Sequence, residues 1–251
     1  MKKNKLKFLV IVLLMIFTRF FGNHYDGGLH LHPDERWLIM VTGKIHFFDQ
    51  LDPDFFAYGS LPIYILKALA QSADFLFHTH FDNYDGLLVM GRWIASLLDI
   101  GTGLLVFFLT KKLTNKKILP FLALVFYTLM FFPIQNSNFF IVDNFVNFFT
   151  TLTILTLINF SQKPKKNNLI KLGLAFAALI ASKITPIIYL PIILAVIIIK
   201  KVKIKNNSVK FQSSIKPVVG NLVLFAVITL IATFTFTPYS FIKHTQFIGE
   251  I

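Results

Sequence analysis

The sequence predicts an all-α integral membrane protein with about seven transmembrane helices. Of its 251 residues 55% are hydrophobic and 30 are Phe, and the apolar residues form runs near the length of about 20 that a bilayer crossing needs. The formal net charge of +13 would also suit a nucleic-acid-binding protein. However, the basic residues form short clusters between the apolar runs and no aromatic residues interleave with them, so no nucleic-acid partner is expected. The chain has no cysteine, which excludes disulfides.

The basic clusters predict the orientation of the chain. They lie at 2–7, 111–117, 163–171 and 200–216, and such clusters are retained on the cytoplasmic side of a membrane. With the N-terminus and all four clusters inside, all seven His residues and every acidic residue except Asp99 fall on or near the outer face. We therefore expect a multi-pass protein of a bacterial or archaeal plasma membrane, with its chemistry on the outer face.

The apolar runs predict the spans. The first run, 6–22, has no small-residue cleavage site after it and is interpreted as a retained anchor. The run 169–199 is too long for one straight crossing and has basic clusters at both ends. We therefore predict a hairpin of two short helices with Lys183 at its outer tip. The six spans after the first are 86–109, 118–133, 142–160, 169–182, 184–199 and 217–237.

The outer loop 23–85 is the segment between spans that is large enough to build a site. Within it, the apolar stretch 61–77 carries Lys67, Gln71 and Asp74 on one helix face. We predict an amphipathic helix that lies on the outer membrane surface, with Lys67 and Asp74 accessible from outside. The predicted layout is a single transmembrane module, 1–251, whose parts are the first span 1–22, the outer loop 23–85, the six spans within 86–237 and the start of a further outer loop at 238–251.

The segment His30–Trp37 holds the most informative residues, Asp34 and Glu35, which follow Pro33 just outside the first span. Ionisable residues at a bilayer are solvated or functional. The same pattern is also an ordinary helix start, because Pro is favoured in the first turn and carboxylates there complement the helix dipole. Both interpretations stay open from these residues alone.

Asp143 and Lys183 are further candidates. Asp143 is expected at the outer end of the span 142–160, at the depth of Asp34, so that two carboxylates could divide base and positioning roles. It could equally be an ordinary carboxylate at a helix N-terminus. Lys183 lies in apolar sequence on the outer side, where it could bind an anionic lipid headgroup or extend its amine to the interface.

Two further pairs of polar residues are candidates, one for an ion pair and one for a metal site. Arg92 and Asp99 lie seven residues apart on one helix face, so we expect them to compensate each other's charge within the helix bundle. His30 and His32 alternate with Asp34, a spacing that can ligate a metal from extended backbone. No strand pattern accompanies them, so they are weak metal candidates and no cofactor is expected to be required.

The order of these features resembles the polyprenyl-phosphate-sugar glycosyltransferases of the GT-C fold, specifically the protein O-mannosyltransferase and aminoarabinose (lipid A) transferase superfamily. The Pro33-Asp34-Glu35 loop after the first helix is the most specific element. The supporting elements are an aromatic-Gly-x-x-Pro segment, an Arg in the second span, an outer loop ending in Asp, a Lys element and a Pro-Tyr loop, at Tyr58–Pro62, Arg92, Asn136–Phe145, Ala181–Lys183 and Thr237–Ser240. Leu61 stands where aminoarabinose transferases carry Lys.

The resemblance implies a GT-C-like N-terminal module that moves a sugar, with inversion, from a polyprenyl-phosphate carrier to an unknown protein, lipid or glycan acceptor on the outer face. It implies that Asp34 deprotonates the acceptor, that Glu35 and Asp143 position acceptor or donor, and that Lys183 holds the donor phosphate. The further substrate-binding candidates are His32, Tyr58, Arg92 and Tyr239.

Family members usually continue with further spans, so we expect this chain to need a missing C-terminal half or a partner subunit. Two other classes stay open. A transporter or lipid flippase would use Asp34, Asp99 and Asp143 as an ion path and would predict inverted repeats, which are not seen in the sequence. A non-catalytic membrane subunit is the other alternative.

Overall fold

The computed structural model describes residues 2–199, 204–205, 208–209 and 215–250. Within these ranges the regular elements are helices apart from one short antiparallel strand pair, and loops connect them. The elements are α1 Lys2–Phe20, α2 Pro33–Gly43, α3 Leu61–Phe77, α4 Tyr84–Leu113, α5 Leu119–Leu129, α6 Phe131–Asn136, α7 Val142–Gln162, α8 Lys166–Ser182, the 3₁₀ helix Thr185–Tyr189, α9 Leu190–Ile199, β1 Ile204–Lys205, β2 Ser208–Val209, α10 Ile215–Phe236, α11 Pro238–Ile242 and α12 His244–Glu250.

Three helices in the described ranges are long and apolar enough to cross a bilayer, namely α4, α7 and the Pro217–Phe236 part of α10. Shorter apolar helices lie at Leu119–Leu129 and Thr185–Ile199. The predicted class, a helical protein with membrane spans, is confirmed, whereas the count of seven spans stays a prediction. The fourth basic cluster, 200–216, lies mostly outside the described residues.

Two helix breaks interrupt the long apolar runs. The predicted break at Lys183 is present: α8 ends there because Lys183 has an extended backbone, with φ −157° and ψ 138°. The run 118–133 was predicted as one helix, and this is wrong because α5 ends at Leu129. Pro133 has no N–H to donate to the Leu129 carbonyl and its ring would collide with that carbonyl, so the helix restarts separately as α6.

Helix α4 is the centre of the fold. It packs against α1 and α5 on one side, around Phe107 and Leu124, and against α7 on another. Helices α7, α8 and α10 pack together around Phe160 and Phe176. Helices α2 and α3 pack on α4 and on each other, and their apolar faces, which include Leu66, share one core with the start of α7. Polar loops from distant parts of the sequence therefore meet at the end of the bundle where α4 and α7 begin.

The predicted helix 61–77 is present with those bounds as α3, but its polar face is not turned to solvent. Lys67 is fully buried and pairs with Asp82, and the Asp74 carboxylate accepts hydrogen bonds from the backbone N–H groups of Phe81 and Asp82. The prediction that Lys67 is accessible from outside is therefore wrong. The loop after α3 folds back and supplies partners for the polar side chains, while the apolar residues of the last turn, such as Phe75, are exposed.

Candidate functional site

Four of the candidate residues converge although they lie far apart in the sequence. Asp34 is in the first turn of α2, Asp143 is in the first turn of α7, Tyr58 precedes α3 and Lys183 follows α8. The Lys183 Nζ lies 3.5 Å from the Asp143 Oδ1 and 5.6 Å from the centroid of the Tyr58 ring. We call Asp34, Tyr58, Asp143 and Lys183 the polar group.

Backbone contacts hold the polar group together. The Gly59 N–H donates to the Ser182 carbonyl at 3.0 Å, so the residue after Tyr58 is joined to the residue before Lys183. A Cβ on Gly59 would lie 1.9 Å from the Ala181 carbonyl oxygen, a separation that no side chain tolerates. Only glycine allows the loop to approach the end of α8 this closely, and the approach places the Tyr58 ring beside Lys183.

The polar group is partly open to solvent and carries charges of both signs. Asp34 is exposed, and the side chains of Asp143 and Lys183 are 51% and 32% exposed. Burial raises the pKa of the Tyr58 phenol, and the carboxylates of Asp34 and Asp143 raise it further. Tyr58 is therefore a neutral hydroxyl between two carboxylates, able to donate a hydrogen bond to either one or to a bound anion.

Glu35 and Arg92 do not belong to this open group. Both are buried, at 0% and 2% exposure, and the Arg92 guanidinium contacts the Glu35 carboxylate through two N–H groups at 3.0 and 2.7 Å. Its other N–H groups donate to both carboxylate oxygens of Asp26, at 2.8 and 2.7 Å, and to the Asn23 carbonyl at 2.8 Å. Because every guanidinium N–H has an acceptor inside the protein, the prediction that Arg92 contacts substrate does not fit this geometry.

The Arg92 network fixes the position of Asp34 indirectly. Glu35 Oε1 also accepts a hydrogen bond from the Phe140 N–H at 2.7 Å, which joins the start of α2 to the segment that leads into α7. The Arg92 hydrogen bonds hold the pKa of the Asp26 carboxyl well below its usual range, although burial acts in the opposite direction. Asp26 was not among the candidates, because it lies in a loop and its partner is 66 positions away in the sequence.

Arg92 and Asp99 do not compensate each other, which corrects a second prediction about Arg92. Asp99 instead accepts a hydrogen bond from the Arg19 Nε at 2.7 Å and one from the Tyr127 hydroxyl. Arg19 is fully buried and also donates to the Thr128 and Tyr127 carbonyls. The signal that could have indicated this pair is Arg19 itself, a cation deep inside the first apolar run, which needs an anionic partner from another helix.

The two weak metal candidates point to different neighbours. His30 Nε2 lies 3.3 Å from the Asp85 Oδ1 and its ring stacks on Tyr84 at 4.2 Å. The His32 ring packs on Phe139, with 4.6 Å between centroids. In the part of the chain that the structure describes, no three His, Asp or Glu side chains are grouped so that they could hold a metal ion.

An apolar cavity of about 370 Å³ adjoins the polar group. Tyr58 belongs to both, and Ile184, the residue after Lys183, also lines the cavity. The rest of the wall comes from the loop residues beside Tyr58, from Ile180 of α8, and from α10, α11 and α12, including Thr233, Phe241 and Phe247.

Polar contacts attach the last two helices, α11 and α12, to the outer loop beside this cavity. Lys243 pairs with Asp52 and Asp54, and the Phe56 N–H donates to the Glu250 Oε2 at 2.7 Å. These contacts between the outer loop and the last helices could not be predicted from spacing. Burial raises the pKa of the Tyr64 phenol, and the nearby Tyr239 of α11 raises it further. Tyr239 itself is not one of the residues that line the cavity.

The fold and the site define a class: a helical membrane protein with acidic, basic and phenolic side chains beside an apolar cavity at one end of its bundle. A family model described as dolichyl-phosphate-mannose-protein mannosyltransferase matches residues 85–236. The match covers more than half of the chain, and the chain belongs to this family of GT-C-type membrane glycosyltransferases. Asp143 and Lys183 lie inside the matched range, while Asp34 and Tyr58 precede it. No curated protein matches the chain.

Proposed function

We propose that the chain transfers a sugar, with inversion, from a polyprenyl-phosphate carrier to a hydroxyl group of a protein, lipid or glycan acceptor at the outer face of the plasma membrane. The observation that carries the proposal is the convergence of Asp34, Tyr58, Asp143 and Lys183 beside an apolar cavity, with Asp34 and Asp143 both acting on Tyr58. A carrier of this kind has a charged phosphate and an apolar chain on one molecule. A site for it needs a cation next to an apolar space.

Asp34 is proposed as the general base because it is the exposed carboxylate of the pair Asp34 and Glu35. It would take the proton of the acceptor hydroxyl while that oxygen forms a bond to the anomeric carbon of the sugar. The bond between the anomeric carbon and the carrier phosphate breaks, and the phosphate leaves on the carrier with the bonding electrons. No metal is required in this scheme.

Lys183 is proposed to hold the leaving phosphate. Its separation of 3.5 Å from Asp143 is longer than the roughly 2.7–2.9 Å of a strong charge-assisted hydrogen bond. A phosphate oxygen could therefore take a place beside the amine without breaking a tight pair. Asp143 would then orient the sugar or the acceptor, and the Tyr58 hydroxyl would donate a hydrogen bond to the phosphate. Glu35 would act through Arg92, by holding the first turn of α2 in place.

The apolar cavity is proposed to receive the first isoprene units of the carrier. Its wall is mostly aliphatic and aromatic, and burying such a chain gains about 0.8 kcal/mol for each CH₂ group. In the proposed arrangement seven spans cross the membrane and α3 lies at the outer surface. The loop 23–85 and the segment 238–251 then share the outer face.

The replacement Asp34→Asn tests the proposal, because Asn keeps the shape of the side chain but cannot accept the proton. General-base catalysis contributes about 10²- to 10⁴-fold, so the rate of sugar transfer should fall by that order in the assembly in which the unmutated chain is active. The matched control is Asp85→Asn, which also removes an exposed carboxylate from the first turn of a helix. Its rate should stay within about twofold, since Asp85 pairs with His30 and forms no ion pair with a member of the polar group in the described part of the chain.

A second measurement separates catalysis from folding. Asn is tolerated in the first helical turn and loses only the interaction of the carboxylate with the helix dipole, at most about 1 kcal/mol. The thermal unfolding temperatures of Asp34→Asn and the unmutated chain should therefore agree within about 4 °C. Full transfer by Asp34→Asn would remove Asp34 from the mechanism and would favour a non-catalytic membrane subunit. If Asp34→Asn and Asp85→Asn lost the same rate, the activity would depend on the total negative charge of this region and not on one general base.

A further inference from the structure

A second cavity, of about 470 Å³, lies at the opposite end of α4 from the polar group. It is formed where α4 ends, where α5 begins and where the first turn of α1 passes, near Asn4. Helix α4 has 30 residues, which at 1.5 Å per residue is a length of about 45 Å. Because α4 is long and apolar enough to cross a bilayer, its two ends are expected on opposite sides of the membrane.

The wall of this cavity combines cations with an apolar floor. Lys111, Lys116 and Lys117 line it, and Phe107 and Phe121 form part of its inner surface. None of these lysines forms an ion pair with a carboxylate in the described part of the chain. Three like charges around one concave space repel one another, and a bound anion would relieve this repulsion.

The surroundings of the cavity are those of a lipid headgroup site. Leu113, Ile118 and Leu122 beside it are exposed apolar side chains, as expected where the helix ends meet the hydrocarbon. Thr114 and Asn115 add hydrogen-bonding groups to the wall. Basic pockets between transmembrane helices on the cytoplasmic side are suited to anionic lipid headgroups. A lysine cluster that merely favours the cytoplasmic side would need neither a cavity nor an aromatic floor.

We propose that this cavity binds the phosphate headgroup of an anionic membrane phospholipid, with its acyl chains along the apolar rim between α1 and α5. The proposal is independent of the sugar-transfer function, since the cavity lies at the other end of α4. Each lysine near the lipid phosphate contributes about fivefold in affinity. Removing all three charges should therefore weaken binding by about 100-fold.

The test uses the purified full chain in uncharged detergent micelles, titrated with dioleoylphosphatidylglycerol or with dioleoylphosphatidylcholine. The readouts are the lipid adducts retained in native mass spectrometry and the shift in Tm. The triple variant Lys111→Gln/Lys116→Gln/Lys117→Gln is compared with Lys163→Gln/Lys165→Gln/Lys171→Gln. The control triple also removes three exposed positive charges but none of its lysines lines this cavity.

The expected result is that phosphatidylglycerol binds to the unmutated chain and to the control triple, and is about 100-fold weaker on the cavity triple. Replacing the three cavity lysines by Arg should keep the binding, which ties a loss in the Gln triple to the missing charges, and the Tm of the Gln triple without lipid reports its folding. Equal weakening in both triples would overturn the proposal, because the effect would then be one of net charge. Equal binding of phosphatidylcholine, or full competition by inorganic phosphate, would overturn the assignment to an anionic lipid.

Discussion

Replacement of Arg92 by Met should be the most destabilising single change in the outer half of the fold. Met keeps much of the volume but removes all the N–H donors and the charge, and it leaves Asp26 and Glu35, whose side chains are 0% exposed, without a counter-ion. Breaking a buried ion pair by removing one partner costs about 3–5 kcal/mol. In a chain of this size 1 kcal/mol corresponds to about 2–4 °C, so Tm should fall by about 6–20 °C.

The assay is thermal unfolding in detergent micelles, followed by tryptophan fluorescence. Trp93 is adjacent to Arg92 and Trp37 lies on α2, so both helices that the network joins are reported. The matched control is Arg36→Met, an exposed arginine whose side chain, among the described residues, donates only to the His30 carbonyl. Its loss should cost about 1 kcal/mol.

A compensated variant separates charge burial from loss of packing. Arg92→Met combined with Asp26→Asn and Glu35→Gln has no buried charge left unpaired, and it should recover a large part of the lost stability. The reasoning would be refuted if Arg92→Met lowered Tm no more than Arg36→Met does. It would also be refuted if the compensated variant were less stable than the single variant.

Two further predictions concern the loop beside α8 and the acid limit of stability. Gly59→Ala should lower Tm by an amount equivalent to about 1–3 kcal/mol, since the new Cβ would strike the Ala181 carbonyl. The control Gly220→Ala has open space around its Cβ position and should be neutral or stabilising. A neutral Gly59→Ala would contradict the close approach of the loop to α8. Arg92 lowers the pKa of Asp26 in the folded state, so the stabilisation that ionised Asp26 contributes is complete above about pH 4 and is lost as the pH falls further. Asp26→Asn should therefore flatten the decline of Tm measured between about pH 6 and pH 3. An unchanged slope would exclude Asp26 as the cause of that decline.

The candidate site shows what spacing and chemistry can predict. A helix start was one of the two interpretations left open for Asp34 and Asp143, and Lys183 was expected at a break between two helices, because Pro and charged residues inside apolar sequence mark helix ends. Helix ends on the same side of a membrane meet in one layer. The structure brings these residues together with Tyr58 in that layer.

The partners of the buried charges could not be predicted in the same way. Arg92 was expected to pair with Asp99 along its own helix, and Lys67 was expected to face outward with Asp74. In the structure Arg92 pairs with Asp26 and Glu35 instead, and Lys67 is buried against Asp82. Periodicity states which side chains share a face of one helix, but not which neighbouring helix or loop covers that face.

The amino-acid sequence by itself determined the helical membrane class and most helix ends, because the length of an apolar run and the position of a proline act locally along the chain. The tertiary structure alone decided that Arg19 neutralises Asp99, that Arg92 holds Glu35 beneath Asp34, and that the last helices close the cavity beside Tyr58. These pairings depend on the rotation and the relative height of whole helices, which follow from the packing of all their side chains at once and not from any local pattern.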